Sequence, residues 1–305
     1  MNELAEHATP MGRWLDRLEE TPWAGVFSLG VVLMGLALGH SFLVLQRYLT
    51  DVPSTLDTIV SMTFGGIGIA LVWMGLGKAE NQATLMGYIG GKLIWIGIFE
   101  WTWEYFAHWL QVQPVTDDGV AILSPGLLLI QVSSLLVIVM LIFLGANKDT
   151  RCRMFMWFHR NFRLRPGQMT AGYKRQFSRV TAMETVFITW FIYLCAITIN
   201  DPRLIGYDTI AAKVITAGFV VWGLYLIPKL LKQRGLGSAL RYGIPTANIL
   251  WLPTEALSRW GIYPEIWVKP LEYDVTMSVV FILFALAGWA VAQSRGVGMG
   301  QESRA

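Results

Sequence analysis

Residues 25–46 read GVFSLGVVLMGLALGHSFLVLQ, and His40 is the only ionisable residue in the run. A helix of this length covers roughly 30 Å, which is the thickness of the hydrocarbon core of a bilayer. Water is absent from that core, so a crossing segment must satisfy its own backbone hydrogen bonds, as a helix does. The run therefore predicts a transmembrane helix. It is longer than the apolar part of a signal peptide, which favours an uncleaved anchor.

The whole chain continues this pattern over its 305 residues, of which 54% are hydrophobic and 15% are charged. Its mean hydropathy is +0.48, which is unusual for a water-soluble domain. Six further long apolar runs predict helices, at 58–77, 85–111, 121–146, 182–199, 207–228 and 275–293. We therefore predict an all-α, polytopic membrane helical bundle of about seven transmembrane helices. Residues 1–305 are expected to form a single integral membrane domain.

The orientation is predicted from the segment 147–180, which carries nine basic residues against one acid, Asp149. Loops rich in Lys and Arg stay on the cytoplasmic side of a membrane. This basic loop is therefore predicted to be cytoplasmic, and counting back places the N-terminus there too. Asp117 and Asp118 then lie outside. We expect a multi-pass protein of the cell (inner) membrane.

A second long connection, at about 235–272, begins basic and becomes aromatic, with prolines at 245, 253, 264 and 270. This pattern predicts an interfacial or re-entrant segment. The alternative is a further crossing, which would return the C-terminus to the inner side.

The third apolar run carries Glu100, Glu104 and His108 at intervals of four residues. Four residues turn a helix by about 40° and advance it by about 6 Å, so the three side chains share one face. Carboxylate and imidazole are ligands for copper, zinc and iron, and His40 could complete the set. The spacing thus predicts a metal site of Glu100, Glu104, His108 and His40, or a proton relay. The alternative without a ligand is that these polar side chains are hydrogen-bonded at the membrane interface, within a belt of Trp and Tyr residues.

The cofactor predicted for this site is copper or another transition metal. Two histidines on parallel helices, His40 and His108, also suit the axial positions of a b-type haem, although a second pair is lacking. The sequence shows no phosphate-binding glycine loop, zinc-protease motif or serine nucleophile elbow. Catalytic residues therefore stay unknown. The expected partners are the lipid bilayer and other membrane subunits, and no nucleic acid.

Several short motifs of this chain recur in order in one known family. They are Glu100-Trp101, Tyr105-Phe106, Trp109, Pro114, Pro125-Gly126, Trp222-Gly223-Leu224, Pro228 and Pro264-Glu265. In this order the chain resembles the A subunit of copper membrane monooxygenases, the family that oxidises ammonia, methane or short alkanes. The resemblance covers about a third of the chain. It implies a complex of three subunit types, with much of the copper ligation coming from a companion membrane subunit.

The chain also departs from that family. Residues 46–57 hold Arg47 as their only base, where the family has a segment rich in Trp, Asp and Arg. The loop 147–180 has no obvious counterpart. Three functions stay open: a metal-associated redox subunit such as a monooxygenase component for a small apolar or neutral substrate, a proton-coupled transporter or permease, and a noncatalytic assembly or anchor subunit.

Overall fold

A computed structural model describes residues 10–117, 119–146, 156, 159, 160, 163, 165 and 168–294. The first half of the chain contains α1 Pro10–Leu18, α2 Trp23–Thr50, α3 Thr55–Met74, α4 Glu80–Ile94, a π-helical segment Trp95–Glu100, α5 Trp101–Trp109, β1 Val115–Asp117 and β2 Val120–Leu123. The second half contains α6 Pro125–Val132, α7 Ser134–Ala146, α8 Phe177–Asn200, α9 Ile210–Leu231, α10 Leu236–Arg259, a 3-10 turn Ile266–Val268 and α11 Asp274–Gln293.

The predicted all-α membrane bundle is confirmed, since the only sheet in the described residues is the small antiparallel hairpin of β1 and β2. Five helices are long and apolar enough to cross a membrane: α2, α3, α8, α9 and α11. The pair α6 and α7 is bent by 41° at Ser133, and it gives a sixth candidate span when the two helices are counted as one. The protein is therefore an integral membrane protein.

The third predicted span is one long rod built from three pieces. α4, the π-helical segment and α5 follow one another without a gap from Glu80 to Trp109. The rod is more polar than its neighbours because it carries Lys92, Glu100 and Glu104. A π-helical stretch inside a helix is frequently found at a functional site.

The segment predicted as interfacial or re-entrant contains α10, a helix of 24 residues. α10 packs against α2, α4, α8 and α9, so it lies inside the bundle and not at its surface. Thirteen of its residues are buried, including Thr246 and Asn248. α10 therefore runs along the inside of the bundle, and a further crossing of the membrane stays a prediction.

Contacts between helix ends show how the chain is threaded. At one end of the bundle, which we call the amino-terminal end, Asn81 donates to Glu19 (2.6 Å) and to Ser294 (2.7 Å), and it accepts from the backbone N–H of Gly237 (2.7 Å). The starts of α2, α4 and α10 and the end of α11 therefore meet there. Gly87 of α4 packs directly on the backbone of Ser178, which adds the start of α8.

The opposite end, which we call the hairpin end, collects the other helix termini. Gln131 of α6 donates to Asp201 after α8 (3.1 Å), and Trp260 after α10 donates to the carbonyl of Tyr207 before α9 (2.9 Å). Ser41 of α2 donates to the carbonyl of Trp267 (2.8 Å). Counting α4–α5 and α6–α7 as one pass each, the described chain passes along the bundle eight times.

About half of the basic loop 147–180, including 147–155, lies outside the described residues. The surface of the bundle is apolar over long stretches, with large side chains such as Ile69, Phe143, Val221 and Phe281 exposed. In a bilayer such side chains contact lipid.

Candidate functional site

A cavity of about 300 Å³ lies between α2, the α4–α5 rod, α6, α8 and α10. Its lining is unusual for the interior of a membrane bundle because eight of the side chains are ionisable. They are His40, Arg47, Lys92, Glu100, Glu104, Glu255, Arg259 and Glu265. Ionisable groups inside a membrane protein are costly, and they mark solute or ion pathways by default.

Arg47 of α2 joins the two carboxylates of the rod. Its Nη2 lies 3.8 Å from Glu100 Oε1 and 3.5 Å from Glu104 Oε2. The Glu100 side chain is 9% exposed and Arg47 45% exposed, so the group extends from the interior to the surface. The hydroxyl of Tyr193 on α8 donates to Glu100 at 3.4 Å. The cluster thus connects three helices at one wall of the cavity.

Gly126 allows Glu104 to reach this position. A Cβ at residue 126 would lie 2.1 Å from Glu104 Oε2, so a larger residue there would displace this carboxylate. The Pro125-Gly126 motif therefore has a local structural role beside the carboxylate cluster.

His40 and Glu255 form a second polar group. His40 Nε2 lies 3.2 Å from Glu255 Oε1, and the indole N–H of Trp251 donates to the same oxygen at 2.6 Å. The rings of His40 and Trp251 stack with centroids 5.7 Å apart. This arrangement holds an imidazole against a carboxylate, a pair that can exchange a proton.

Of the rod residues that line the cavity, Lys92 lies nearest to the amino-terminal end of the bundle. It is twelve residues from the start of α4, which corresponds to about 18 Å of helix. Its Nζ donates to Thr189 Oγ1 at 3.4 Å. None of the ion pairs found among the described residues includes Lys92. The cavity therefore contains an ammonium group without a close carboxylate.

The bundle is closed on the amino-terminal side of Lys92. Tyr88, Thr84 and Thr185 are fully buried, and the Tyr88 hydroxyl donates to the carbonyl of Val32 at 3.2 Å. Gly91 packs against the backbone of Ala182. Because small residues let helix backbones approach closely, the described helices pack tightly in this half. The cavity thus belongs to the hairpin half of the bundle.

The structure brings some of the residues predicted for a metal site together and separates others. Glu100 and Glu104 share Arg47, whereas His40 is paired with Glu255. His108 is exposed and does not line the cavity. Four residues rotate the side-chain direction by about 40° around the helix axis, so His108, eight residues after Glu100, points about 80° away from it. His108 also lies near the end of the rod.

The donor set can be compared with what a transition metal needs. Within the part of the chain that the structure describes, no group of three or more His, Cys, Asp or Glu side chains is arranged to hold a metal ion. Arg47 already occupies the two carboxylates of the rod. The side chains as placed do not fit a copper centre, and the metal site stays a prediction.

Several residues of the cavity were not singled out from the sequence. Glu255 and Trp251 lie in α10, in the segment predicted as interfacial. A carboxylate is ordinary at a membrane interface because water solvates it there. Tyr193 and Thr189 lie in an apolar span and resemble ordinary core residues. Recognising α10 as a crossing helix would have marked Glu255 as an ionisable residue inside the membrane.

No family model, curated protein or solved structure matches this chain. The fold and the site therefore define its class without help from relatives: an all-α integral membrane protein with a charge-lined cavity. The resemblance to the A subunit of copper membrane monooxygenases stays a prediction.

Proposed function

We propose that this protein binds a small charged solute in the cavity and carries it across the membrane as a transporter. The observation that carries the proposal is the cavity itself, of about 300 Å³ and lined by eight ionisable side chains within a membrane bundle. Sites for small ligands are concave and have volumes upward of about 300 Å³. The cavity lies in one half of the bundle, and the described helices of the other half pack tightly, which is the arrangement that one state of an alternating-access cycle would have.

The charges favour a zwitterionic solute. Carboxylates and bases are nearly balanced in the lining, with four acids against Arg47, Lys92 and Arg259 and the titratable His40. A ligand with a large net charge would meet as much repulsion as attraction there. Among the described residues no carboxylate forms a close ion pair with Lys92, so an anionic group of the solute is its natural ligand.

The other end of such a solute would meet a carboxylate. Glu255 of α10 and Glu100, eight residues further along the same rod, both interact electrostatically with Lys92. A ligand with a carboxylate and an ammonium group, separated by a few bonds, complements this arrangement. Amino acids are the common solutes of this chemistry.

Uptake by proteoliposomes tests the proposal. The purified protein is reconstituted and supplied with a radiolabelled amino-acid mixture, and protein-free liposomes give the background. We expect uptake above the background, and Lys92→Gln should lower the apparent affinity by about tenfold or more, since a charge-assisted hydrogen bond is lost. Lys213→Gln is the matched control, because Lys213 is exposed and pairs with Asp208 away from the cavity. Absence of uptake, or equal loss in both variants, would contradict the proposal.

A further inference from the structure

α1 is a short amphipathic helix that precedes the first membrane span. Each residue turns a helix by about 100°, and this places Trp14, Leu15 and Leu18 on one side of α1. Arg13 and Arg17 lie on the other side, and both are exposed. Leu18 is buried and Leu15 packs against the same core, whereas Trp14 is 46% exposed. α1 therefore packs on the bundle through its leucines and presents Trp14 and both arginines to its surroundings.

A second basic segment adjoins α1 in space. It consists of the end of α9 and the connection to α10, with Lys229, Lys232 and Arg234 all exposed. The backbone N–H of Gly235 donates to the carbonyl of Glu19 at 2.9 Å. The connection between α9 and α10 therefore lies directly against the turn that follows α1. The two segments together form what we call the basic surface, with the side chains of Arg13, Arg17, Lys229, Lys232 and Arg234.

The acids of the two segments do not neutralise the basic surface. Its five bases stand against Asp16, Glu19 and Glu20. Glu19 is turned inward, where Asn81 and the backbone N–H of Leu236 donate to its carboxylate at 2.6 and 2.7 Å. Of the ion pairs found among the described residues, none includes a base of this surface. An excess of positive charge is therefore open to a ligand.

The basic surface lies at the level of lipid headgroups. Lys229 is in the last turn of α9, which is a candidate membrane span, and Trp23 opens α2, which is another. Trp14 and Trp23 are 46% and 57% exposed. Exposed Trp side chains at the ends of spans are typical of the boundary between hydrocarbon and water. The bases beside them are therefore placed where the phosphate groups of lipids lie.

The chemistry of this surface favours an anionic lipid. Phosphatidylglycerol brings a phosphate without a compensating cation, whereas the choline group of phosphatidylcholine would place a second positive charge near the bases. Each Lys or Arg near a surface of anionic lipid strengthens binding by roughly fivefold. Arginine also binds a phosphate through two parallel hydrogen bonds. Helices with bases on one face and Trp and Leu on the other lie in the plane of such membranes.

We propose that the basic surface binds the headgroup of an anionic phospholipid, with Arg13 and Arg17 of α1 on one side of the phosphate and Lys232 and Arg234 on the other. α1 then lies in the plane of the interface, and Trp14 contacts the acyl chains beside the headgroup. A bound lipid joins α1 to the end of α9, so it stabilises the amino-terminal end of the bundle. This site is independent of any solute in the cavity.

Thermal unfolding in mixed micelles tests the site. The detergent-purified protein is titrated with phosphatidylglycerol or, at equal mole fraction, with phosphatidylcholine. We expect the unfolding midpoint to rise and saturate with phosphatidylglycerol and to change less with phosphatidylcholine, since a ligand that binds only the folded protein stabilises it. In the double variant Arg13→Gln, Arg17→Gln, the phosphatidylglycerol concentration at half saturation should rise by about tenfold or more, because two charged contacts are lost.

Arg179→Gln is the matched control. Arg179 is an exposed base at the same end of the bundle, at the start of α8. Its neighbour Ser178 donates to the carbonyl of Val72 at 2.9 Å, so this base lies beside α3 and outside the basic surface. The lipid titration of Arg179→Gln should match that of the wild type.

Four results would overturn the site. They are equal stabilisation by the two lipids, wild-type half saturation in the arginine double variant, an equal loss in Arg179→Gln, and the same saturating stabilisation by inorganic phosphate without added lipid. The third would show attraction by the overall charge of this end, and the fourth would show an ion site in place of a lipid site. If the arginine double variant does not fold, Lys232→Gln with Arg234→Gln makes the same test from the other segment.

Discussion

His40 on α2 and Glu255 on α10 meet at 3.2 Å between Nε2 and Oε1, which joins the first long helix of the chain to one of its last. Histidine is the side chain whose free form changes charge near neutral pH, and protonation of His40 would turn this hydrogen bond into an ion pair. A proton held there adds a positive charge to the cavity.

The pair predicts a pH-dependent activity. If His40 gains and loses a proton during transport, uptake by proteoliposomes should vary between about pH 5 and 8 in the wild type. His40→Gln keeps a hydrogen-bonding group opposite Glu255 but cannot titrate, and its uptake should be nearly flat over this range. His108→Gln provides the control because His108 is exposed outside the cavity, and its profile should match the wild type. A flat wild-type profile would argue against the pair as a proton carrier.

Two glycines on α3 predict a contrast in stability. A Cβ at Gly68 would lie 2.7 Å from the carbonyl oxygen of Gly90, while a Cβ at Gly66 meets nothing within 4 Å. Gly68→Ala must push α3 away from α4, which we expect to cost about 1–3 kcal/mol. Gly66→Ala should be neutral or slightly stabilising. Thermal unfolding in detergent measures both, and equal midpoints for the two variants would show that α3 does not pack on α4 as described.

Asp201 predicts an acid-dependent contribution to stability. Hydrogen bonds from Arg203, at 2.7 and 2.9 Å, lower the pKa of Asp201 to about 2. A carboxyl whose pKa is lower in the folded state stabilises the fold above its unfolded pKa, near 3.9, and this contribution is lost as the pH falls towards 2.

Replacement of Asp201 should therefore matter at neutral pH. We expect Asp201→Asn to lower the free energy of unfolding by about 1 kcal/mol at pH 7, since the partner Arg203 is partly exposed. The loss should shrink below about pH 4. Asp208→Asn removes an exposed acid of the same turn, paired with Lys213, and should have almost no effect. A pH-independent difference between wild type and Asp201→Asn would contradict the role of the ion pair.

The threading of the chain predicts the side of each loop. Reporters fused after Lys174 and after Gln233 should both be cytoplasmic, because eight passes place them at the same end as the N-terminus. Reporters after Gly119 and after Glu272 should be extracytoplasmic. If the reporters after Gln233 and Glu272 fall on one side, α10 does not cross.

Elemental analysis of the purified protein distinguishes the predicted metal site from the proposed transport function. A redox subunit should retain stoichiometric copper, zinc or iron after reconstitution with each in turn, and Glu104→Gln should lose it while still folding. A transporter built as proposed should retain none of them. The measurement therefore separates the two functions even if no substrate has been found.

The sequence allowed most helices to be predicted because lipid-facing helices are apolar on nearly every side. The same rule did not mark α10, whose residues such as Thr246 and Asn248 are buried against other helices. Hydropathy detects contact with lipid, so a helix surrounded by protein escapes it. Glu255 was missed for this reason.

The site was predicted in part because Glu100 and Glu104 stand out in an apolar run. Their partner Arg47 lies on another helix, and its position follows from packing, which spacing along one helix does not reveal. His108 was included because its spacing continued the pattern, although the rotation of the helix carries it out of the cavity.

The central position of α10 also has a consequence for how the protein is made. α10 is not among the helices that are apolar enough to enter a bilayer by their own composition, and it contains Pro245 and Pro253. It leaves the ribosome after α2, α4 and α8, the helices that will surround it. Polar side chains of these helices that contact α10, including Asn81 and Thr84 of α4, offer it a better environment than lipid does. We therefore expect an intermediate in biogenesis in which α2, α4 and α8 are inserted and the space between them that α10 will occupy is empty. The cavity forms when α10 inserts between these helices.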